Sequence, residues 1–233
     1  MRSLAALFMA FSGFAAAPLA AQEVAYEYVE YEVAGTSPAQ FDGGSERYLA
    51  TMPAPIPAGI VAYGPFRVVD DSRAALVDVT DSGSPAAFAQ MLADFPRIAV
   101  IEMVDCPGTE DDRSNLQLGR MIRERSIATW VPSGGSVRSG AVELFLAGSK
   151  RFADPGAEFA VHAWMDEDGR EATDYAAGAS ENRKYLDYYR QMGMSEAESA
   201  AFYAMTNSVP HARAKWFGAA EMARWVRLDG REG

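Results

Sequence analysis

The sequence predicts an α/β domain built on a mainly parallel sheet, and three observations lead there. Apolar runs of strand length recur at 66–69, 73–79, 98–104 and 127–131, and I-A-V-I-E-M-V at 98–104 is apolar almost throughout, as a strand covered on both faces must be. Between these runs lie A-A-F-A-Q-M-L-A-D-F and N-L-Q-L-G-R-M-I-R-E-R, whose apolar residues return at helical spacing. Two successive strand–helix–strand units need right-handed crossovers, which bring their strands together in parallel.

Taken in order, residues 1–21 combine one positive charge, an apolar run and small residues before Gln22, the pattern of a cleaved secretory signal. Such a signal implies a periplasmic or secreted product. The run 4–17 is shorter than the roughly 20 apolar residues of a membrane span, and no later run reaches about 18, so no span is expected after cleavage. Residues 22–59 read as an N-terminal strand and arm. V-A-Y-E-Y-V-E-Y-E-V alternates with period two, and 35–59 is punctuated by Gly, Ser and Pro. Pro53, Pro55 and Pro57 suit a stiff linker or a polyproline-binding partner. The domain proper is expected over 60–233.

Within that domain, Ser84-Pro85 suits an N-cap followed by proline in the first helical turn, and Ser114 suits the cap of a second helix with Leu116, Met121 and Ile122 on one side. A short apolar helix is expected over 139–148, ending at Gly148, followed by strands at 151–153 and 159–164. The polar stretch M-D-E-D-G-R-E-A-T-D reads as a loop. Its Asp166-x-Asp168-Gly169 order resembles the opening of a calcium loop, but the later ligands are missing, so a solvated turn is expected rather than a metal site. An amphipathic helix over 180–192 follows, then a capping box of Ser195 and Glu198 opening another helix, and finally a helical turn and a short strand. No internal repeat is visible.

Composition excludes several functions. The net charge of −11 and the scattering of Arg120, Arg123, Arg125, Arg138, Lys150 and Arg151 among acidic and apolar residues leave no basic stripe to follow a phosphate backbone, so nucleic acid is not an expected partner. No G-x-x-x-x-G-K-[ST] loop occurs, and no cofactor is expected. The single cysteine, Cys106, rules out an internal disulfide and reads either as a thiol nucleophile or, more simply, as a buried filler beside a turn.

The stretch 105–162 holds the chemistry. A strand that passes through W-V-P-S-G-G into a helix at Ser139 puts a hydroxyl near the positive end of a helix dipole, where developing negative charge is favoured. The N–H of Gly140 and that of Gly108, in the D-C-P-G-T turn, are suited to an oxyanion hole. His162, one of two histidines, stands in the apolar strand A-V-H-A-W and suits a general base. Each residue also has a plain reading, Ser139 as an N-cap and His162 as a core histidine.

Cys106-Pro107-Gly108-Thr109, then Gly135-Ser136-Val137-Arg138-Ser139-Gly140-Ala141, then Lys150-Arg151-Phe152 with Asp154-Pro155 and Val161-His162, resemble in order and spacing the motifs of the ClpP/crotonase superfamily. The proteolytic subunit of the Clp protease and related secreted bacterial proteins are the nearest types. The resemblance implies stacked ββα units, Ser139 as nucleophile, His162 as base, Gly108 and Gly140 as oxyanion donors, a peptide or protein substrate, and a homo-oligomer. Where the peptidases carry the triad aspartate, N-S-V-P-H-A-R-A-K-W-F offers Asn207 and His211 but no carboxylate; Asn207 would orient the imidazole, with Asp174 and Glu181 as alternatives. Thr109 replaces a glycine and precedes Glu110, Asp111 and Asp112, and Arg138 replaces a small residue, where it would either bind a substrate carboxylate or, more simply, plug the cleft by pairing with Glu143 or the acidic turn. Lys150 stands at the far end of a ten-residue helix, roughly 15 Å from Ser139, too far to act as its base. Two readings follow: a secreted serine hydrolase, or a non-catalytic binding protein of the same fold.

Overall fold

The computed structural model describes residues 52–230, all within one compact unit, Gln40–Gly233. The expected secretory signal and most of the expected arm lie outside the described residues.

Among the described residues ten strands form two sheets. The six-stranded sheet has the order β1-β2-β3-β4-β6-β8, from Val61–Tyr63, Phe66–Val68, Arg73–Leu76, Val100–Met103, Ala128–Val131 and Arg151–Ala153. Its first three strands are antiparallel neighbours, and pairing from β3 onward is parallel. The four-stranded sheet has the order β10-β9-β7-β5, from Lys215–Gly218, Glu158–Val161, Ser136–Arg138 and Asp105–Cys106. Here β5, β7 and β9 are parallel, and β10 closes the edge antiparallel.

The chain moves between sheets in a fixed rhythm. β4 passes through Val104 into β5 and then helix α2 (Asp112–Glu124); β6 passes through 132–135 into β7 and then helix α3 (Ala141–Ala147); β8 passes through 154–157 into β9. The first strand of each pair lies in the larger sheet and the second in the smaller one. This is a stacked ββα arrangement with mainly parallel pairing, as expected.

Burial explains the elements. β4 alternates buried and half-buried positions, Ile101 and Met103 inward. All seven residues of α3 are buried, so a helix apolar except for Glu143 sits between α2 and strands β6, β7 and β9. Each fully buried Leu or Phe there contributes on the order of 1.5–3 kcal/mol relative to exposure. Helix α1 (Ser84–Asp94) covers β2, while α4 (Ser180–Gln191), α5 (Glu196–Thr206) and α6 (Ala219–Trp225) complete the chain. The Ser195–Glu198 capping box forms.

Several boundaries differ from expectation for local reasons. Gly83 caps α1, because the Ser84 hydroxyl donates to Asp81 Oδ1 at 2.8 Å instead. Asp111 caps α2 by accepting from the Ser114 N–H at 2.9 Å, so that helix starts earlier. At the C-terminal end the order is reversed: β10 comes first and α6 second, since W-F pairs with β9 as an edge strand before A-A-E-M-A-R-W turns helical.

Candidate active site

The parallel strands of the smaller sheet end side by side, so residues just beyond β5, β7 and β9 share one place. Arg138 is opposite Ala160, and the next N–H, that of Ser139, donates to Ala160 O at 2.9 Å. Gly108, Ser139 and His162 each follow one of these strands.

Ser139 has φ +49°, and Ser126 is the other non-glycine residue with positive φ among those described. Ser126 lies just past the end of α2, where a left-handed residue commonly closes a helix. No helix end explains Ser139. It stands between β7 and α3, and holding a serine there costs on the order of 1–3 kcal/mol, a strain typical of functional turns. Gly140 is the N-cap of α3, without a side-chain cap, so Ser139 does not serve as the cap. Gly108 has φ +136°, and a Cβ on it would fall 3.0 Å from Ser139 Cβ and 3.4 Å from Oγ. Close approach at this point therefore needs glycine. Neither the Gly108 nor the Gly140 N–H has a hydrogen-bond partner among the described residues.

His162 Nδ1 lies 2.9 Å from Ala163 O. A carbonyl only accepts, so Nδ1 carries the proton and Nε2 is left as the acceptor of a neutral ring. His211 Nδ1 approaches the same oxygen at 3.0 Å. Burial holds the His162 imidazole below the usual histidine range; the Ala163 hydrogen bond opposes this, and the neighbouring His211 adds to it. Glu171 accepts the His211 backbone N–H at 2.9 Å, and its charge, with that of Asp112, favours a proton on His162. The Ser139 hydroxyl makes no hydrogen bond among the described residues.

Ser139, Gly140, His162 and Asn207 open onto one cleft of about 630 Å³, with Trp164, Tyr185, Tyr189 and Tyr203 in its walls. Glu143, one turn into α3, is 7% exposed and also lines it. Tyr189 donates to Glu143 Oε1 at 2.7 Å, yet burial pushes the carboxyl up to about 7. Glu110, Asp111, Asp112, Asp166, Glu167 and Asp168 make the rim acidic, relieved by Arg113 and Lys184.

Three expectations are corrected. Asn207 makes no hydrogen bond to His162. Its Nδ2 closes the last turn of α5 on Tyr203 O at 2.8 Å, and Ala163 O takes the place opposite His162 Nδ1. Arg138 does not pair with Glu143 or the acidic turn. On alternating β7 its side chain points away from the Val137 core, pairing with Asp105 at 2.8 Å, outside the cleft lining. The alternative acids are engaged elsewhere, Asp174 with the Glu171 N–H and Glu181 with Ser180. Cys106 is 1% exposed, its thiol 3.4 Å from Leu76 O and pushed up by burial, which fits a core filler. The Asp166 carboxylate accepts the N–H groups of Asp168 and Arg170 and pairs with Arg170, as a solvated turn does.

Sequence reasoning missed Ala163, the role of His211, and the buried Thr80 and Asn115. His211 had a signal, being the chain's other histidine; a main-chain carbonyl has none.

No family model matches the chain, and no curated protein matches it. Among solved structures it is similar to a lysine-to-alanine mutant of the 1510-N membrane-bound stomatin-specific protease in complex with a substrate peptide, at 14% identity over 67% of this chain and 75% of that one, with a TM-score of 0.44. It is also similar to an asparagine-to-aspartate mutant of ClpP1 from Listeria monocytogenes, at 15% identity over 67% of this chain and 88% of that one, with a TM-score of 0.46.

Proposed function

We propose that this chain is a secreted or periplasmic serine hydrolase that cleaves a peptide or other acyl bond through Ser139 and His162. One observation carries the reading: a serine strained to φ +49° at a strand–helix junction, packed on Gly108, opens onto a cleft it shares with His162. His162 Nε2 takes the Ser139 hydroxyl proton as Oγ bonds to the substrate carbonyl carbon. The resulting oxyanion is held by the N–H groups of Gly108 and Gly140. The imidazolium returns its proton to the leaving group, and water, deprotonated by the same ring, releases the acyl group. Ala163 O orients the ring, and Glu171 and Asp112 favour the charge it acquires.

Among the described residues a carbonyl rather than a carboxylate meets His162 Nδ1, which favours a second reading, a binding protein that holds a peptide in the same cleft. A fluorophosphonate probe separates the two. Labelling that disappears in Ser139→Ala and falls about 100-fold or more in His162→Ala supports the hydrolase. No labelling anywhere between about pH 6 and 9, where a neutral imidazole is present over most of the range, supports the binding protein.

A further inference from the structure

The two candidate oxyanion donors come from turns far apart in sequence, and two buried polar residues tie them together. Thr80, between β3 and α1, is 1% exposed and grips the first turn through its backbone. Its N–H donates to Gly108 O at 3.1 Å, and its carbonyl accepts the Glu110 N–H at 2.8 Å and the Thr109 hydroxyl at 3.1 Å. The Thr80 hydroxyl lies 2.9 Å from Asn115 Oδ1 and 3.3 Å from Gly108 O. Asn115, in the first turn of α2 and 2% exposed, donates from Nδ2 to Gly140 O at 2.6 Å. The hydrogen bonds thus run without a break from Gly108 through Thr80 and Asn115 to Gly140.

Gly140 fits this path closely. A Cβ there would lie 2.5 Å from Thr109 Cγ2 and 3.2 Å from Asn115 Nδ2, so both turns are packed on it. A buried hydroxyl and amide cost on the order of 1–3 kcal/mol each when left unpaired, whereas a satisfied network holds its members in one arrangement. Apolar residues would fill this space without binding either glycine.

Resting on the hydrolase reading, we infer that Thr80 and Asn115 are positioning residues that hold Gly108 and Gly140 at the spacing an oxyanion needs. They touch no reacting atom. Their effect appears on the chemical step, because a donor displaced by about 1 Å loses on the order of 100-fold in rate.

The test compares Thr80→Val, which keeps the shape and backbone bonds, Asn115→Ala, and the conservative Thr80→Ser. Fluorophosphonate inactivation is resolved into affinity and limiting rate on protein shown to be folded. The expected result is a limiting rate 10- to 100-fold lower in Thr80→Val and Asn115→Ala, affinity within about threefold, and near wild-type behaviour in Thr80→Ser. Wild-type rates in both disruptive variants, or a loss confined to affinity, would overturn the proposal. Amide ¹⁵N order parameters at Gly108 and Gly140 provide a readout independent of chemistry. They should lie near about 0.85 in the wild type and fall at both glycines in both disruptive variants; unchanged values overturn the clamp. A wild-type protein that takes no probe sinks the hydrolase reading, and the order parameters then judge the clamp by themselves.

Discussion

His162 and His211 direct their Nδ1 atoms at one acceptor, the carbonyl oxygen of Ala163, at 2.9 and 3.0 Å, with ring centroids 4.4 Å apart and planes at 87°. The carbonyl fixes both tautomers, leaving each Nε2 basic, and the proximity of the rings makes a proton on one oppose a proton on the other. A neutral oxygen thus orients His162 where a carboxylate would both orient it and stabilise its charge.

This arrangement predicts the pH dependence. Because burial and His211 lower the His162 pKa, the imidazole stays neutral below the ordinary value of 6.5, and under the proposed hydrolase reading the acid limb of fluorophosphonate labelling should have its midpoint below it. Replacing His211 with Gln removes the opposing charge and should move that midpoint upward. The same linkage acts on stability: the neutral ring favours the fold above 6.5, and that contribution is lost as pH falls through the folded-state value. A labelling midpoint above that of free histidine would contradict the arrangement.

Gly108→Ala tests the approach of the two turns. A methyl group at φ +136°, 3.0 Å from Ser139 Cβ, strains the backbone and displaces Ser139. We expect a loss of about 1–3 kcal/mol in denaturant unfolding together with a fall of about 100-fold in labelling rate on the protein that remains folded. Ser139 labelled at the wild-type rate in this variant would show that the two residues do not share an active geometry.

Glu143 is a buried carboxyl whose ionisation works against the fold. Its pKa is raised by burial from the ordinary 4.5 to about 7, so its contribution is fully present below 4.5 and is lost as pH rises through about 7. Glu143→Gln has no charge to bury. Between pH 5 and 8 its stability relative to wild type should improve, by up to about 3 kcal/mol, read from urea unfolding at both values. Parallel stability curves would mean that Glu143 ionises without cost inside the cleft.

The sequence showed the parts of the site that are written locally. Gly108 stood in a Gly/Pro turn, Ser139 between an apolar strand and an apolar helix, and His162 at the end of a strand, and the structure brings them to the ends of β5, β7 and β9. It did not show the second sheet, because β5 is Asp105–Cys106 and β7 is Ser136–Arg138, strands too short for a period to register. The ββα rhythm came from the motif resemblance and not from any repeated residue pattern. Each unit repeats in space while V-D-C, P-S-G-G-S-V-R and D-P-G-A-E-F make the same step with unrelated residues.

What the sequence by itself determined is the class of fold and the strand-end positions of three candidate residues, since apolar period, turn residues and strand ends are properties of neighbours along the chain. Only the tertiary structure decided who supports them. Ala163 rather than Asn207 meets His162, Asp105 rather than Glu143 meets Arg138, and Thr80 and Asn115 join Gly108 to Gly140. The physical reason is the same in each case: hydrogen bonds and ion pairs go to whichever unsatisfied group the packing of distant segments brings within about 3 Å, and a main-chain carbonyl serves as well as any side chain.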